Sequence, residues 1–428
     1  MGHYLSKLSA VPCDQQWSTL YQWIQKDPQV LYHELRHECP VLQLPGVTVV
    51  SRFSDCTTVL RQHDIFTVAL YKPKQGEYWM AQDDTARHWR EKSVMRSILD
   101  FEQLPDIRGF VASQAAKVLQ EADGSVDVVS GLSRAIPVRL VQDFFGFDGI
   151  TEEELLNWSF WSQYDAFHNQ PFNASDVKDP ALVSANRIKG SEEMATYLGA
   201  LLQRRIADLK AGEQLDDPAS RLIKLSLTGA LDFDLTRVAQ NVGGLLIGTV
   251  ETTSNTVVNA ISELLNRKDI HQQLHQLAQQ EDTAEFDHYV FEALRFNPAF
   301  PYLFRMCEQQ TVLAEGTEFA TQVEPGTIVI ALVGSAMFDE TIFARHDEFL
   351  PGRSETNTFH FGYGMHECLG IHIGRVMIPE IVRQIFLLND VQVDGCIDYK
   401  DGPFPEQFDI RWKTESASGY QCRGVEYA

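Results

Sequence analysis

Phe361-Gly362-Tyr363-Gly364-Met365-His366-Glu367-Cys368-Leu369-Gly370 decides how the rest of this 428-residue chain is read. Three glycines in ten residues suit a backbone that turns tightly and lets something bulky approach, because glycine takes positive φ freely. Cys368 stands just before a helix-like run, Ile371 to Leu388. A thiolate at a helix N-terminus is favoured by the dipole and free N–H groups there, which predicts a depressed pKa. Such a sulfur is a nucleophile or a metal ligand; the bland alternative is a buried, small apolar residue.

Composition bounds the partners. Hydrophobic residues make up 44% of the chain, enough for a sizeable core, and 36 basic against 59 acidic residues give a net charge of −23. That balance argues against a nucleic-acid partner or adhesion to an anionic membrane, and favours a soluble monomer. The N-terminus carries no apolar run of transmembrane or signal-peptide form, so the expected location is the cytoplasm. Met1-Gly2 with Ser6 formally fits a myristoylation start, and chance explains so short a match. Seven cysteines (13, 39, 56, 307, 368, 396, 422) are widely spaced without zinc spacing, which fits a reducing compartment.

The decapeptide resembles the haem-binding loop of the cytochrome P-450 family, whose pattern is F-x-x-G-x-x-x-C-x-G with His or Arg two residues before the cysteine. Phe361, Gly364, His366, Cys368 and Gly370 fill it. The resemblance implies haem b (iron protoporphyrin IX) as cofactor, with Cys368 as the thiolate ligand that pushes electron density onto iron. It also makes His366 a propionate donor.

Upstream, Gln15 to Glu38 reads as helical. Val41 to Leu44 and Val47 to Val50 form a hairpin around Pro45-Gly46, and Phe53 to His63 is again a helix. Residues 66–84 are irregular and aromatic (Phe66, Tyr71, Tyr78, Trp79), and such a loop lines a pocket or caps a core. Arg87 to Arg96 is a basic helix, ordinarily a solvated face. The resemblance implies that it packs beside the haem, that His88 and Lys92 occupy a His-x-x-x-Arg position reaching a propionate, and that Arg90, Lys92 and Arg96 dock an electron donor.

Residues 106–210 read as amphipathic helices broken at Gly124, Gly149 and Pro180. Phe160 to Phe167 is aromatic and is followed by a polar stretch, consistent with a lid over a pocket or with a helix–helix contact.

From Val238 to Ser262 the one charged residue is Glu251. A helix that is apolar nearly all round runs through a core. A lone carboxylate in it needs a partner or a job, and glycines at 243, 244 and 248 each cost about 1 kcal/mol against Ala. Gly248-Thr249-Val250-Glu251-Thr252-Thr253 matches the family's (A/G)-G-x-(D/E)-T-(T/S) except at Thr249. The resemblance therefore implies a distal helix over the haem. There Gly248 gives oxygen access, Thr252 donates a hydrogen bond at the oxygen position, and Glu251 relays protons; Thr249, where the family has Gly, leaves the width of the groove open. The alternative is Glu251 salt-bridged to an arginine.

Glu292 and Arg295 share a helix face, ordinarily a surface pair. The resemblance makes them, with Arg353 of Pro351-Gly352-Arg353, a buried scaffold for the haem site, and makes Arg305 a second propionate partner. Thr317 to Phe319 and Thr327 to Ile330 read as strands, and the tail Pro403 to Phe408 as a turn inserted into the pocket. The family's Ala and Glu after the cysteine appear here as Gly374 and Met377, and Pro379 should kink that helix.

The expected fold is mainly α with small β-sheets (α+β), one domain over 1–428, β-rich near 40–65 and 299–335. The haem would lie between the central helix and the cysteine loop. The implied activity is monooxygenation of an apolar small molecule, by hydroxylation, oxidative demethylation or epoxidation. O2 is the oxidant, and NAD(P)H supplies electrons through a ferredoxin-type donor and its reductase. Trp79, Phe160, Phe167, Leu245, Thr249, Phe300 and Phe404 are the expected pocket residues. A peroxide-dependent peroxygenase or lipid hydroperoxide isomerase is a second enzyme reading, and a haem-based gas or redox sensor is a non-enzyme one.

Overall fold

The computed structural model describes residues 3–99, 101–229 and 233–414. Met1 and Gly2 of the myristoylation pattern and Cys422 lie outside the described residues.

Two stretches of chain far apart in sequence build one sheet. Strands β1 (Val41–Leu44) and β2 (Val47–Val50) form the expected hairpin, with Leu44 opposite Val47 and Gly46 at φ 75° closing the turn. They are joined by β3 (Phe66–Thr67), whereas β4 (Ser125–Asp127) belongs elsewhere. Then come β5 (Leu303–Cys307), β6 (Thr311–Leu313), β7 (Thr321–Val323), β8 (Ile328–Ala331), β9 (Asn389–Val393) and β10 (Asp409–Lys413). The five-stranded sheet runs β1-β2-β8-β5-β3, with β2 and β8 parallel, so both β-rich regions contribute strands to it. A three-stranded sheet runs β4-β10-β9, and β6 and β7 form a ribbon.

The central helix, Leu235–Asn266, is capped by Asp234, which accepts from the Arg237 amide at 2.9 Å. Its buried residues (Val238, Asn241, Val250, Glu251, Val258, Leu265) lie all round it. Helices Ala135–Phe145, Glu152–Gln163, Pro180–Ala211, Ala284–Phe296 and Ile371–Phe386 pack on it. Its glycines have separate reasons. A side chain at Gly243 would press on Met194 and Leu198, and one at Gly244 would collide with the Tyr78 hydroxyl. At Gly248 it would meet nothing within 4 Å.

Two expectations need correction. The 15–38 helix is two helices, Gln16–Lys26 and Pro28–Glu38, because the residue before a proline is pushed out of the α region. Thr317 to Phe319 is a turn between β6 and β7, where Ala314 (φ 51°) and Gly316 (φ 79°) reverse the chain. Pro379 lies inside Ile371–Phe386, which carries on through it: one backbone bond is lost while Ile378, Pro379 and Glu380 are buried. Among the described residues no helix is long and apolar enough to cross a membrane.

Candidate active site

A cavity of about 660 Å³ lies between the central helix and the cysteine loop. Gly362 (φ 75°) and Gly364 (φ 72°) turn the loop, and a Cβ at Gly364 would come within 2.7 Å of the Leu60 carbonyl. The Cys368 amide donates to the Phe361 carbonyl at 2.8 Å, closing the turn under the sulfur. Phe361 packs so closely on Gly374 that a Cβ there would lie 2.7 Å from its ring, which accounts for glycine in place of alanine.

Burial pushes the Cys368 thiol above its usual value, against the lowering effect of the Gly370 N–H and the Lys92 charge. This reverses the depressed pKa expected from helix position. Burial is the largest of these effects, because desolvation disfavours the charged form of a thiol.

Opposite the sulfur, Leu245, Gly248, Thr249 and Thr252 of the central helix line the cavity. Thr249 folds back on its own helix, donating to the Leu245 carbonyl at 2.6 Å, and Thr252 donates to the Gly248 carbonyl at 2.6 Å. In this geometry the Thr252 hydroxyl offers the cavity lone pairs rather than a proton. Glu251 is buried and does not line the cavity. Its Oε2 accepts from Arg134 Nε at 3.1 Å and Nη2 at 3.0 Å, while Oε1 has no partner among the described residues. Arg134 also reaches Glu406, at 3.0 and 3.1 Å. Burial raises the Glu251 pKa to about 7 even though Arg134 pulls it down. The salt-bridged alternative and the tunable acid are thus one arrangement.

Of the expected propionate partners, Arg305 and His366 line the cavity. Arg305 is buried and spends one nitrogen on the Phe304 carbonyl at 2.8 Å. His366 Nε2 meets Asp83 at 3.0 Å, and its buried Nδ1 has no partner among the described residues. Burial lowers its pKa to about 4. A neutral ring that gives its proton to Asp83 has only an acceptor left, so donation to an anion requires the imidazolium form.

His88 and Lys92 are corrected: both are buried behind the loop and neither lines the cavity. His88 Nδ1 lies 3.1 Å from the Trp79 carbonyl. The Lys92 ammonium bonds the Met365 carbonyl and the Glu367 carbonyl, the latter at 3.1 Å. A buried ammonium needs acceptors, and the cysteine loop's carbonyls are the ones in reach. Lys92 is therefore shielded from any docking protein, whereas Arg96 is exposed.

Glu292 and Arg295 are 4% and 1% exposed, so they form no surface pair. Arg295 donates to both Glu292 oxygens at 3.0 and 2.8 Å, and to the carbonyls of Met337, His346 and Glu348 at 3.1, 2.8 and 3.0 Å. Arg353 Nε reaches Glu292 at 3.2 Å. The triad fastens the segment leading into the cysteine loop, and buried networks of this kind fix geometry more than they stabilise.

Phe167, Phe300, Leu245 and Thr249 line the cavity as expected, and Trp79, Phe160 and Phe404 do not. Trp79 is fully buried and donates to Asn241 at 2.8 Å. Phe160 and Phe404 stack edge-on at 5.8 Å in a cluster with Tyr164, so the tail turn completes a core rather than entering the pocket. Sequence reading missed Lys74 and Arg187, which line the cavity, as well as Gln163, Asp83 and Arg134. Periodicity carries no signal for pairings that distant.

Haem b fits these residues. One thiol faces the central helix across the cavity, and glycines at 248 and 370 stand where side chains would obstruct. Arg305 suits a dianion, and among the described residues no Asp or Glu lines the cavity.

The Cytochrome P450 family model matches residues 72–395. The chain is 27% identical over 362 residues to erythromycin C-12 hydroxylase of Saccharopolyspora erythraea, covering 82% of this chain and 85% of that protein. It is 24% identical over 400 residues to cyclomarin C epoxidase CymV of Salinispora arenicola, covering 90% and 93%. The crystal structure of CalO2 superposes with a TM-score of 0.76 at 20% identity, over 91% of this chain and 97% of that one. With a thiol, a glycine-lined cavity and a buried Glu-x-x-Arg scaffold arranged as that family requires, the chain belongs to the cytochrome P450 family and is a haem-dependent monooxygenase.

Proposed function

We propose that this enzyme inserts one atom of O2 into an apolar small molecule, by hydroxylation, oxidative demethylation or epoxidation, in the cytoplasm. Electrons would come from NAD(P)H through a separate ferredoxin and its reductase. Bound haem supplies the oxygen activation, with Cys368 as iron ligand. The protein's part is to orient substrate and meter protons.

The observation that carries this reading is Glu251, a buried acid beside the cavity-lining Thr252, with a pKa of about 7 and one free oxygen. An acid that titrates near the working pH both gives and takes protons efficiently. Arg134 and the partly exposed Glu406 link it toward solvent. Turning the Thr252 hydroxyl from the Gly248 carbonyl to the cavity converts it from acceptor to donor. Arg305 holds the cofactor's carboxylates, joined by His366 when its ring is protonated, while Glu292, Arg295 and Arg353 keep the loop in place. The exposed Arg96 and neighbouring Arg90 form the docking face for the electron donor.

Relatives named as a hydroxylase and an epoxidase support oxygen insertion. Peroxide-driven chemistry makes least use of Glu251 and Thr252. The deciding experiment supplies isotopically labelled O2 with NADPH, ferredoxin and reductase. One labelled atom in the product is expected; turnover with hydrogen peroxide alone, and no label from O2, would overturn the proposal.

A further inference from the structure

In a chain of net charge −23, the cavity is lined by Lys74, Arg187 and Arg305 and, among the described residues, by no carboxylate. Arg305 is accounted for by the cofactor; Lys74 and Arg187 are not. They come from separate elements, the short helix Lys72–Gln75 and the helix Pro180–Ala211, and meet at Asp165 in the turn Tyr164–His168.

Asp165 is fully buried, and its bonds are complete. Oδ1 accepts from Lys74 Nζ at 2.9 Å, Asn169 Nδ2 at 2.7 Å and Ser184 Oγ at 2.9 Å, and Oδ2 accepts from Arg187 Nε at 3.1 Å. Burial works against its ionisation, but Lys74, Asn169 and Ser184 outweigh it and hold the carboxyl below the usual range. One carboxylate therefore faces two cations. Among the described residues nothing accepts from the two η nitrogens of Arg187, and Lys74 has used one of its three donors. This corner of the cavity holds one uncompensated positive charge and a free guanidinium fork, whose geometry matches a carboxylate. Val68, Phe167 and Leu198 line the apolar cavity with them.

We propose that Lys74 and Arg187 form an anion subsite and that the substrate is an apolar molecule carrying a carboxylate. Asp165 orients both cations from behind. The inference rests on the cavity being the substrate chamber of the proposed monooxygenase. It turns the expected apolar substrate into an apolar molecule with one acidic end.

The test is calorimetric binding to the haem-loaded enzyme of two matched pairs, dodecanoate with 1-dodecanol and 4-phenylbutyrate with 4-phenylbutanol. In at least one pair the acid should bind about tenfold tighter than the alcohol. Asp165→Asn, which keeps a hydrogen-bonding side chain and removes the opposing charge, should widen that preference. Lys74→Met and Arg187→Met, each of which leaves Asp165 paired with the remaining cation, should narrow it. Equal binding of acid and alcohol in both pairs, or a preference unmoved by these variants, would overturn the subsite. The thiolate band of the reduced, carbon-monoxide-treated protein is read in parallel. Its presence in every variant keeps a failed subsite separate from a failed haem-thiolate assignment.

Discussion

Arg134 places two nitrogens on one oxygen of Glu251, at 3.1 and 3.0 Å, and leaves the other oxygen without a partner. The guanidinium thus tunes the acid without occupying it. Burial sets the Glu251 pKa near 7, and Arg134 keeps it from rising further. Arg134→Met should therefore move the Glu251-dependent limb of the pH–rate profile to higher pH, and Glu251→Gln should abolish that limb. A limb that stays in place in Arg134→Met would show that another group controls proton supply.

Thr252 is expected to govern coupling rather than binding. Thr252→Ala removes the hydroxyl that now rests on Gly248 and should raise hydrogen peroxide release at the expense of product, with substrate affinity nearly unchanged. Product formed per NADPH consumed is the measurement. Unchanged coupling would remove Thr252 from the proton path.

Cys368→Ala should abolish the long-wavelength band of the reduced, carbon-monoxide-treated protein while leaving the fold intact by circular dichroism. Retention of the band would exclude Cys368 as the ligand.

The Glu292–Arg295 pair is almost fully buried, so removing one partner strands the other. Arg295→Leu should cost about 3–5 kcal/mol in denaturant unfolding and lower haem retention. An exposed pair of the same spacing would cost only a few tenths of a kcal/mol.

Trp79→Phe should cost about 1–3 kcal/mol, because Asn241 Oδ1 then loses its donor. Ligand affinity should not change, since Trp79 lies behind the cavity wall.

The parts of this site legible in the sequence are those written locally. The cysteine decapeptide, the single charge in an apolar helix and the Glu-x-x-Arg spacing each sit within about twenty-five residues, and the hairpin at Pro45-Gly46 is set by its own turn. What was illegible is the partner at a distance. Arg134 lies 117 residues from Glu251, and Asp83 lies 283 from His366. The aromatic stretch 66–84 has no periodicity, so nothing in it distinguishes Tyr78, which lines the cavity, from its neighbour Trp79, which does not. The direction of Lys92 was equally unreadable, because a long side chain on a helix can serve the cavity or the loop beneath it.

The five-stranded sheet also sets a clock. Val50 on β2 pairs with Ala331 on β8, 281 residues later (331 − 50). At about 5–20 residues per second of synthesis, the N-terminal hairpin waits about 15–55 s for its partner strand. Throughout that interval the β2 edge is an open template for other chains. A ribosome-stalled chain ending before Ile328 should therefore expose its first fifty residues to protease, however many of its helices have already formed.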